Sequence, residues 1–384
     1  MYANMERSGR ADDFPLVSVI VRTYQGREQL LAECLESIAD QSYRPLEVVV
    51  VQDGGDSAKE TAERFQRVDL TVRFVALPKG NRCIAGNAGL AAAQGEWLNF
   101  LDDDDLFLPQ HVAVLVAAVK GTGETAAIAE SLQAATKFAS LVPLQYEESS
   151  RDPFPLPAKL VRGQIWFNNL FPIQACLFHR SLYERFGGFE EELDALEDWD
   201  LWQRYFSDRR IERVKETTSL FRVPASGGER STRERRMATF YPAIERLQAE
   251  RRVVISVAEL LELEGTLSAR HAYSFGGALF AISTRQLSRG LRYLRNLNRE
   301  RPRLSSDVQN CVAAMLRDDR SDRFELSVQQ IRQVVVQFWG IECPEKLLAD
   351  TVSGTAVRFG FWWRMVAAVS FAKRWLGKSP TAAH

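Results

Sequence analysis

Histidine and cysteine are scarce in this chain. Four histidines and five cysteines are scattered through 384 residues. Cys34, Cys83, Cys176, Cys311 and Cys343 form no CxxC pair, which argues against a zinc module or a disulfide framework and for a reducing compartment. No uninterrupted apolar run reaches the roughly 18 residues a membrane span needs. The opening stretch MYANMERSGRADDF lacks the apolar core of a secretory signal. These absences predict a cytoplasmic protein. Net charge is also nearly missing, at −1, so bulk composition names no partner. The balance hides a split: residues 1–224 hold 24 Lys and Arg against 34 Asp and Glu, whereas residues 225–384 hold 25 against 16. A basic second half points to an anionic surface.

The apolar residues that are present fall in a regular order. Residues 16–21 (LVSVIV) and 46–51 (LEVVVV) are continuous, β-branched runs, the pattern of strands buried on both faces. Residues 70–77 and 97–101 read as two more strands. Residues 29–39, 57–65 and 85–93 carry helical spacing between them. The alternation predicts an α/β domain with a mostly parallel sheet flanked by helices. Further on, 126–139 fits a strand or a helix, 151–157 a proline-rich loop, 173–179 a strand, and 181–186 and 196–206 two helices. SGGERSTRERR (226–236) is polar and reads as a linker. The expected division is a flexible 1–14, an α/β domain over 15–225, a linker over 226–237 and a mainly α-helical region over 238–384.

Ligands of open α/β sheets bind beyond the carboxyl ends of the strands. Three polar clusters stand at such ends: Arg22-Thr23-Tyr24, Gln52-Asp53-Gly54-Gly55 and Asp102-Asp103-Asp104-Asp105. Adjacent carboxylates raise one another's pKa unless a cation lies between them, and hard divalent ions prefer oxygen ligands. Alternate residues of an extended segment face the same way, so Asp102 and Asp104 can share a ligand while Asp103 and Asp105 face away. The plainer reading is a solvated turn with an aspartate capping the next helix. Asp53 before two glycines suits a base N–H, or a simple Asp-Gly turn. Tyr24 can stack on a base or pack. In ALEDWDLWQRY (195–205), Glu197, Asp198 and Asp200 suit a helix N-terminus. One of them can instead act as a general base, with Trp199 and Trp202 excluding water and raising its pKa.

In order, VSVIVRTYQ, EVVVVQDGG, GNAGLAAAQGEWLNFLDDDD, FGGF and EDWDLW resemble the family 2 glycosyltransferases over about residues 15–225. The resemblance implies a GT-A fold and an inverting transfer from a nucleotide-sugar. It places Arg22, Thr23, Tyr24, Asp53, Asn87, Asp102 and Asp103 on the donor side. Asp104 is implied as the ligand of Mg²⁺ or Mn²⁺ and Asp198 as the catalytic base. Gly188, Phe189, Glu197 and Trp199 fall on the acceptor side. The chain departs from the family with Arg22 where proline is common and Gly86 where arginine is common; Arg82 lies nearby but shifted. The processive QxxRW motif is absent, which favours single addition.

The second half adds a partner. Arg285, Arg289, Arg292 and Arg299 share one helical face, and FGFWWRMVAAVSFAKRWLGK (359–378) mixes tryptophans with cations. Such helices suit an anionic membrane surface, or a terminal helix packed on the domain; a lipid-linked acceptor, as in bacterial cell-surface glycan assembly, would give that surface a purpose. No nucleic-acid motif accompanies them. Two other classes fit less well. A sugar nucleotidyltransferase would need a glycine-rich phosphate loop, which RTYQGREQ lacks. A non-catalytic binding protein would have no use for Asp53, Asp104 and Asp198 together.

Overall fold

The computed structural model describes residues 14–256, apart from 155, 158, 159, 208 and 209, together with 259, 263, 323–329, 331 and 332. The basic segments 285–299 and 359–378 lie outside the described residues. The first half alternates as expected: β1 (Val17–Tyr24), α1 (Glu28–Ala39), β2 (Leu46–Asp53), α2 (Lys59–Glu63), β3 (Leu70–Leu77), α3 (Arg82–Ala92) and β4 (Trp97–Asp102). Next come β5 (Leu106–Phe107), α4 (His111–Thr122), β6 (Ala126–Leu141), β7 (Leu144–Pro153), β8 (Cys176–His179), α5 (Arg180–Phe186), α6 (Glu197–Tyr205) and β9 (Glu212–Pro224). The described part ends with α7 (Gly227–Ala238), α8 (Tyr241–Glu250), β10 (Arg252–Ser256) and β11 (Arg323–Ser327).

Strands run β3-β2-β1-β4-β8-β6-β9-β5, with β7 added beside β6. The first four are parallel, while β8 meets both β4 and β6 antiparallel. In β1 every residue but Tyr24 is buried, because helices cover both faces. Side chains sort by the period of two. Val17, Val19 and Val21 pack with Leu31, Leu35 and Val112 on the α1/α4 side. Ile20, Leu98 and Phe100 pack with Leu90, Trp199 and Trp202 on the α3/α6 side.

Three expectations need correction. Residues 226–237 are not a loose linker: α7 occupies them, with the Ser226 side chain accepting from the Glu229 N–H as an N-cap. Asp105 does not cap the following helix, since β5 intervenes and Gln110 stands at the start of α4. The strand expected over 173–179 begins only at Cys176, Ile173–Ala175 forming a 3-10 turn; after α8, β10 and β11 pair antiparallel. The ambiguous 126–139 is strand, and its partner β7 takes in the first part of the proline-rich segment. No helix among the described residues is long and apolar enough to cross a membrane.

Candidate active site

Register brings the three polar strand ends together. In the β1–β4 pairing Arg22 lies beside Asp102, and in the β1–β2 pairing Tyr24 lies beside Asp53. Asp53 accepts from Lys79 Nζ and from the Gly80 N–H, both at 2.5 Å. Tyr24 is half exposed, with Arg27 4.9 Å from its ring centroid and Lys79 5.6 Å. An exposed ring flanked by two cations, beside a carboxylate, can offer a planar, polar ligand both stacking and hydrogen bonding.

The aspartate run alternates. Asp102 and Asp104 are partly exposed, while Asp103 and Asp105 are buried. Each carboxylate is held by the chain itself. Arg22 donates from Nε and Nη2 to Asp102 Oδ1 at 2.9 and 2.7 Å. Arg27 Nε reaches both oxygens of Asp103 at 2.9 Å, and Thr23 Oγ1 donates to Asp103 at 2.6 Å. Arg27 Nη2 also pairs with Asp104 Oδ2 at 2.9 Å. Asp105 accepts from the Arg222 N–H at 2.9 Å, and Arg222 Nη1 donates to the Asp104 carbonyl at 2.7 Å.

Four like charges are therefore tolerated because three arginines sit among them. Burial would raise the Asp102 pKa, but Arg22 and Arg82 outweigh it and hold the carboxyl below its ordinary value. Burial pushes Asp103 up to about 6, even against its hydrogen bonds from Arg27. Burial, with Asp104 and Asp102 adding repulsion, drives Asp105 well above the carboxylate range and favours its neutral form.

Residues 197 and 198 split into two environments. Glu197 is buried and accepts from Arg22 Nη1 at 3.1 Å and Arg82 Nη1 at 3.4 Å. Arg22 thus ties the aspartate run directly to the start of α6. Asp198 is only partly buried. Its Oδ2 accepts from Asn169 Nδ2 and its Oδ1 from the Trp199 N–H, both at 2.8 Å. Burial, then the neighbouring Glu197 charge, push its pKa up to about 6 against those two donors. Two carboxylates side by side in sequence are left with different tasks: one is neutralised by arginines, the other is available to a proton.

Several residues expected on the donor or acceptor side are held by protein partners. The side-chain carbonyl of Asn87 accepts from the Phe189 N–H at 2.7 Å and its amide donates to the Phe189 carbonyl at 3.0 Å. Asn87 thus clamps the 187–189 loop. Phe189 is buried, 5.1 Å from the Phe100 ring, with the Arg22 guanidinium 5.5 Å from its centroid. Gly86 stands where it does because a Cβ there would come within 2.5 Å of the Phe189 ring. At Gly188 a Cβ would meet Asn87 Oδ1 at 2.1 Å. Trp199 is buried and donates to the Ile165 carbonyl. Thr23 donates to Asp103, which Arg27 also holds, and Arg22 and Glu197 are a buried pair. Arg27, Lys79, Asn169 and Arg222 escaped the sequence reading. Arg27 and Lys79 follow strand ends closely enough to be suspected. Asn169 lies in the stretch whose elements had no clear period.

A divalent cation was tested against this geometry. No cluster of three or more His, Cys, Asp or Glu side chains suited to a metal occurs among the described residues. Mg²⁺ and Mn²⁺ bound with nucleotides need only one or two protein carboxylates, the phosphates completing the shell. Asp104, with about a third of its side chain exposed, and Asp102 beside it meet that requirement.

The sheet and its loaded strand ends define a GT-A-like domain. A crystal structure of S. aureus TarS 1–349 in complex with UDP-GlcNAc shares the fold with a TM-score of 0.51, at 15% identity, covering 84% of this chain and 91% of that one. The model of glycosyl transferase family 2 matches residues 18–185, so this stretch is a glycosyltransferase domain of that kind. The uncharacterized glycosyltransferase YwdF of Bacillus subtilis is 26% identical over 221 residues, 56% of this chain and 77% of that one. The uncharacterized glycosyltransferase EpsJ of the same organism is 36% identical over 92 residues, spanning 24% of this chain and 26% of that one. The GalNAc(5)-diNAcBac-PP-undecaprenol beta-1,3-glucosyltransferase of Campylobacter jejuni is 34% identical over 109 residues, spanning 27% and 34%.

Proposed function

We propose that the protein transfers a sugar from a nucleotide-sugar, with UDP as the favoured nucleotide, to a hydroxyl of a glycan or lipid-linked acceptor, with inversion. The observation that carries the reading is the single arginine, Arg22, that joins Asp102 to Glu197 and so sets the donor-side aspartates beside the Asp198 turn. Asp53 accepts a base N–H, Tyr24 stacks on the base, and Lys79 orients Asp53. Asp104, with Asp102, would hold Mg²⁺ or Mn²⁺; the bound ion would offset negative charge growing on the departing diphosphate. Asp198 takes the proton of the acceptor hydroxyl as it attacks the anomeric carbon from the face opposite the leaving group. A carboxyl held near pH 6 is largely ionised at neutral pH yet basic enough to share that proton. One displacement needs no covalent enzyme intermediate.

The named acceptor of the Campylobacter relative supports a lipid-linked substrate, and the basic second half supports a cytoplasmic protein held on an anionic membrane face. Turnover screening of UDP- and GDP-sugars with Mn²⁺ tests the donor assignment. Chelation should stop transfer, and Mn²⁺ or Mg²⁺ should restore it; transfer from no donor, or full transfer in chelator, would reject the reading.

A further inference from the structure

Among the described residues Arg27 is the side chain that touches both Asp103 and Asp104. Its Nε lies 2.9 Å from each Asp103 oxygen, and Nη2 lies 2.7 Å from Asp103 Oδ1 and 2.9 Å from Asp104 Oδ2. Nη1 reaches the Tyr24 hydroxyl at 3.2 Å. Asp103 is pinned in turn by Thr23, so the guanidinium cannot swing away as a unit. Its side chain is 12% exposed, against 32% for Asp104.

We propose that Arg27 competes with the divalent cation for Asp104, so that the site takes the cation and an anionic nucleotide together rather than the cation alone. The inference rests on Asp104 being the metal ligand. A cation approaching Asp104 meets Nη2 already on Oδ2, and two positive groups on one carboxylate repel. Once Nη2 is displaced from Asp104 it still sits between Asp103 and the strand end. It then offers a donor to a phosphate oxygen, which suits the planar guanidinium. The anion relieves the repulsion, so metal and nucleotide each tighten the other's binding by the same factor. Asp103 serves as the anchor that keeps Arg27 within reach of both partners. This gives the run's buried second aspartate a task that direct ligand contact cannot.

The test measures Mn²⁺ binding to the full chain by the free-ion electron paramagnetic resonance signal, with and without UDP. The wild type should bind Mn²⁺ weakly alone, and UDP should tighten binding by about tenfold or more. In Arg27→Gln/Asp103→Asn an amide pair replaces the ion pair without leaving a buried charge. Binding without UDP should rise several-fold, and the gain from UDP should shrink. Arg27→Lys, which keeps a cation on Asp103 but lacks the fork that reaches Asp104, should shift both quantities the same way and decides the matter if the double variant does not fold. Wild-type values in a folded variant overturn the role of Arg27 while leaving Asp104 as ligand. Absence of Mn²⁺ binding by the wild type with UDP or GDP overturns the metal role of Asp104, and this inference with it.

Discussion

At the scale of the residue, Asp198 and its neighbour show how environment divides labour between two carboxylates. Glu197 is spent on Arg22 and Arg82, while Asp198 keeps one amide, one backbone donor and partial exposure. Asp198 as the proposed base would work only when ionised. With its pKa pushed up to about 6, kcat/KM should be flat above that pH and fall about tenfold per unit below it. Asp198→Asn should lower turnover by roughly 10²–10⁴-fold and abolish that acid limb. Donor affinity, read by calorimetric titration, should hold. Full turnover in the variant would remove Asp198 from the chemistry. Asn169 favours the ionised form by donating to Oδ2, so Asn169→Ala should move the acid limb to higher pH. An unmoved limb would mean that the limb belongs to another group.

At the scale of the element, the middle of α3, the 187–189 loop and α6 act as one clamped unit. Asn87 holds the Phe189 backbone from one side. Arg204, paired with buried Asp200 at 3.0 Å, holds the Phe186 and Gly188 carbonyls from the other, at 2.6 and 2.5 Å. Gly188→Ala would press a methyl onto Asn87 Oδ1 and should cost about 1–3 kcal/mol in thermal unfolding. Asn87→Ala opens that space, so adding it to Gly188→Ala should cost less than the two single losses together. Strict additivity would mean that the two do not meet. Most strands and helices of the first half were legible because they are buried on one or both faces and strongly periodic. The aspartate run alternates in exposure through a turn, closed by the Asp105 N–H on the Asp102 carbonyl at 2.9 Å, rather than along the strand. The protein partners of Asn87, Phe189, Glu197 and Trp199 were not legible, because a sequence shows residue type and order but not which way a loop turns. Arg27 was missed because its partners lie 76 positions away. The helix over 227–238 was hidden by its polar composition: none of its residues is buried, so no apolar stripe marks it.

At the scale of the whole molecule, the catalytic core does not close at residue 225. Ile244, Val253, Ile255, Leu326, Val328 and Ile331 join the same apolar cluster as Phe178, Trp199 and Trp202. Arg251 pairs with the fully buried Asp200, giving that carboxylate its second guanidinium. Gln248 donates to Gln203 Oε1 at 2.8 Å and accepts from Arg332, whose guanidinium also lies 5.9 Å from the centroid of Trp199. The floor under the Asp198 helix is thus built partly from α8, β10 and β11. Six aliphatic side chains at about 1.5–3 kcal/mol each approach or exceed the roughly 5–15 kcal/mol that holds a typical domain together. Losing Arg251 would further leave Asp200 short of a partner inside the core. A chain cut after residue 225 should therefore lose its cooperative thermal transition and donor binding. Arg251→Ala in the full chain should lower the melting temperature while leaving the fold and donor affinity measurable. A truncated chain that melts cooperatively and binds UDP like the full protein would show that the two halves are separable. The present packing argues that they are not: the helix carrying Asp198 rests on both.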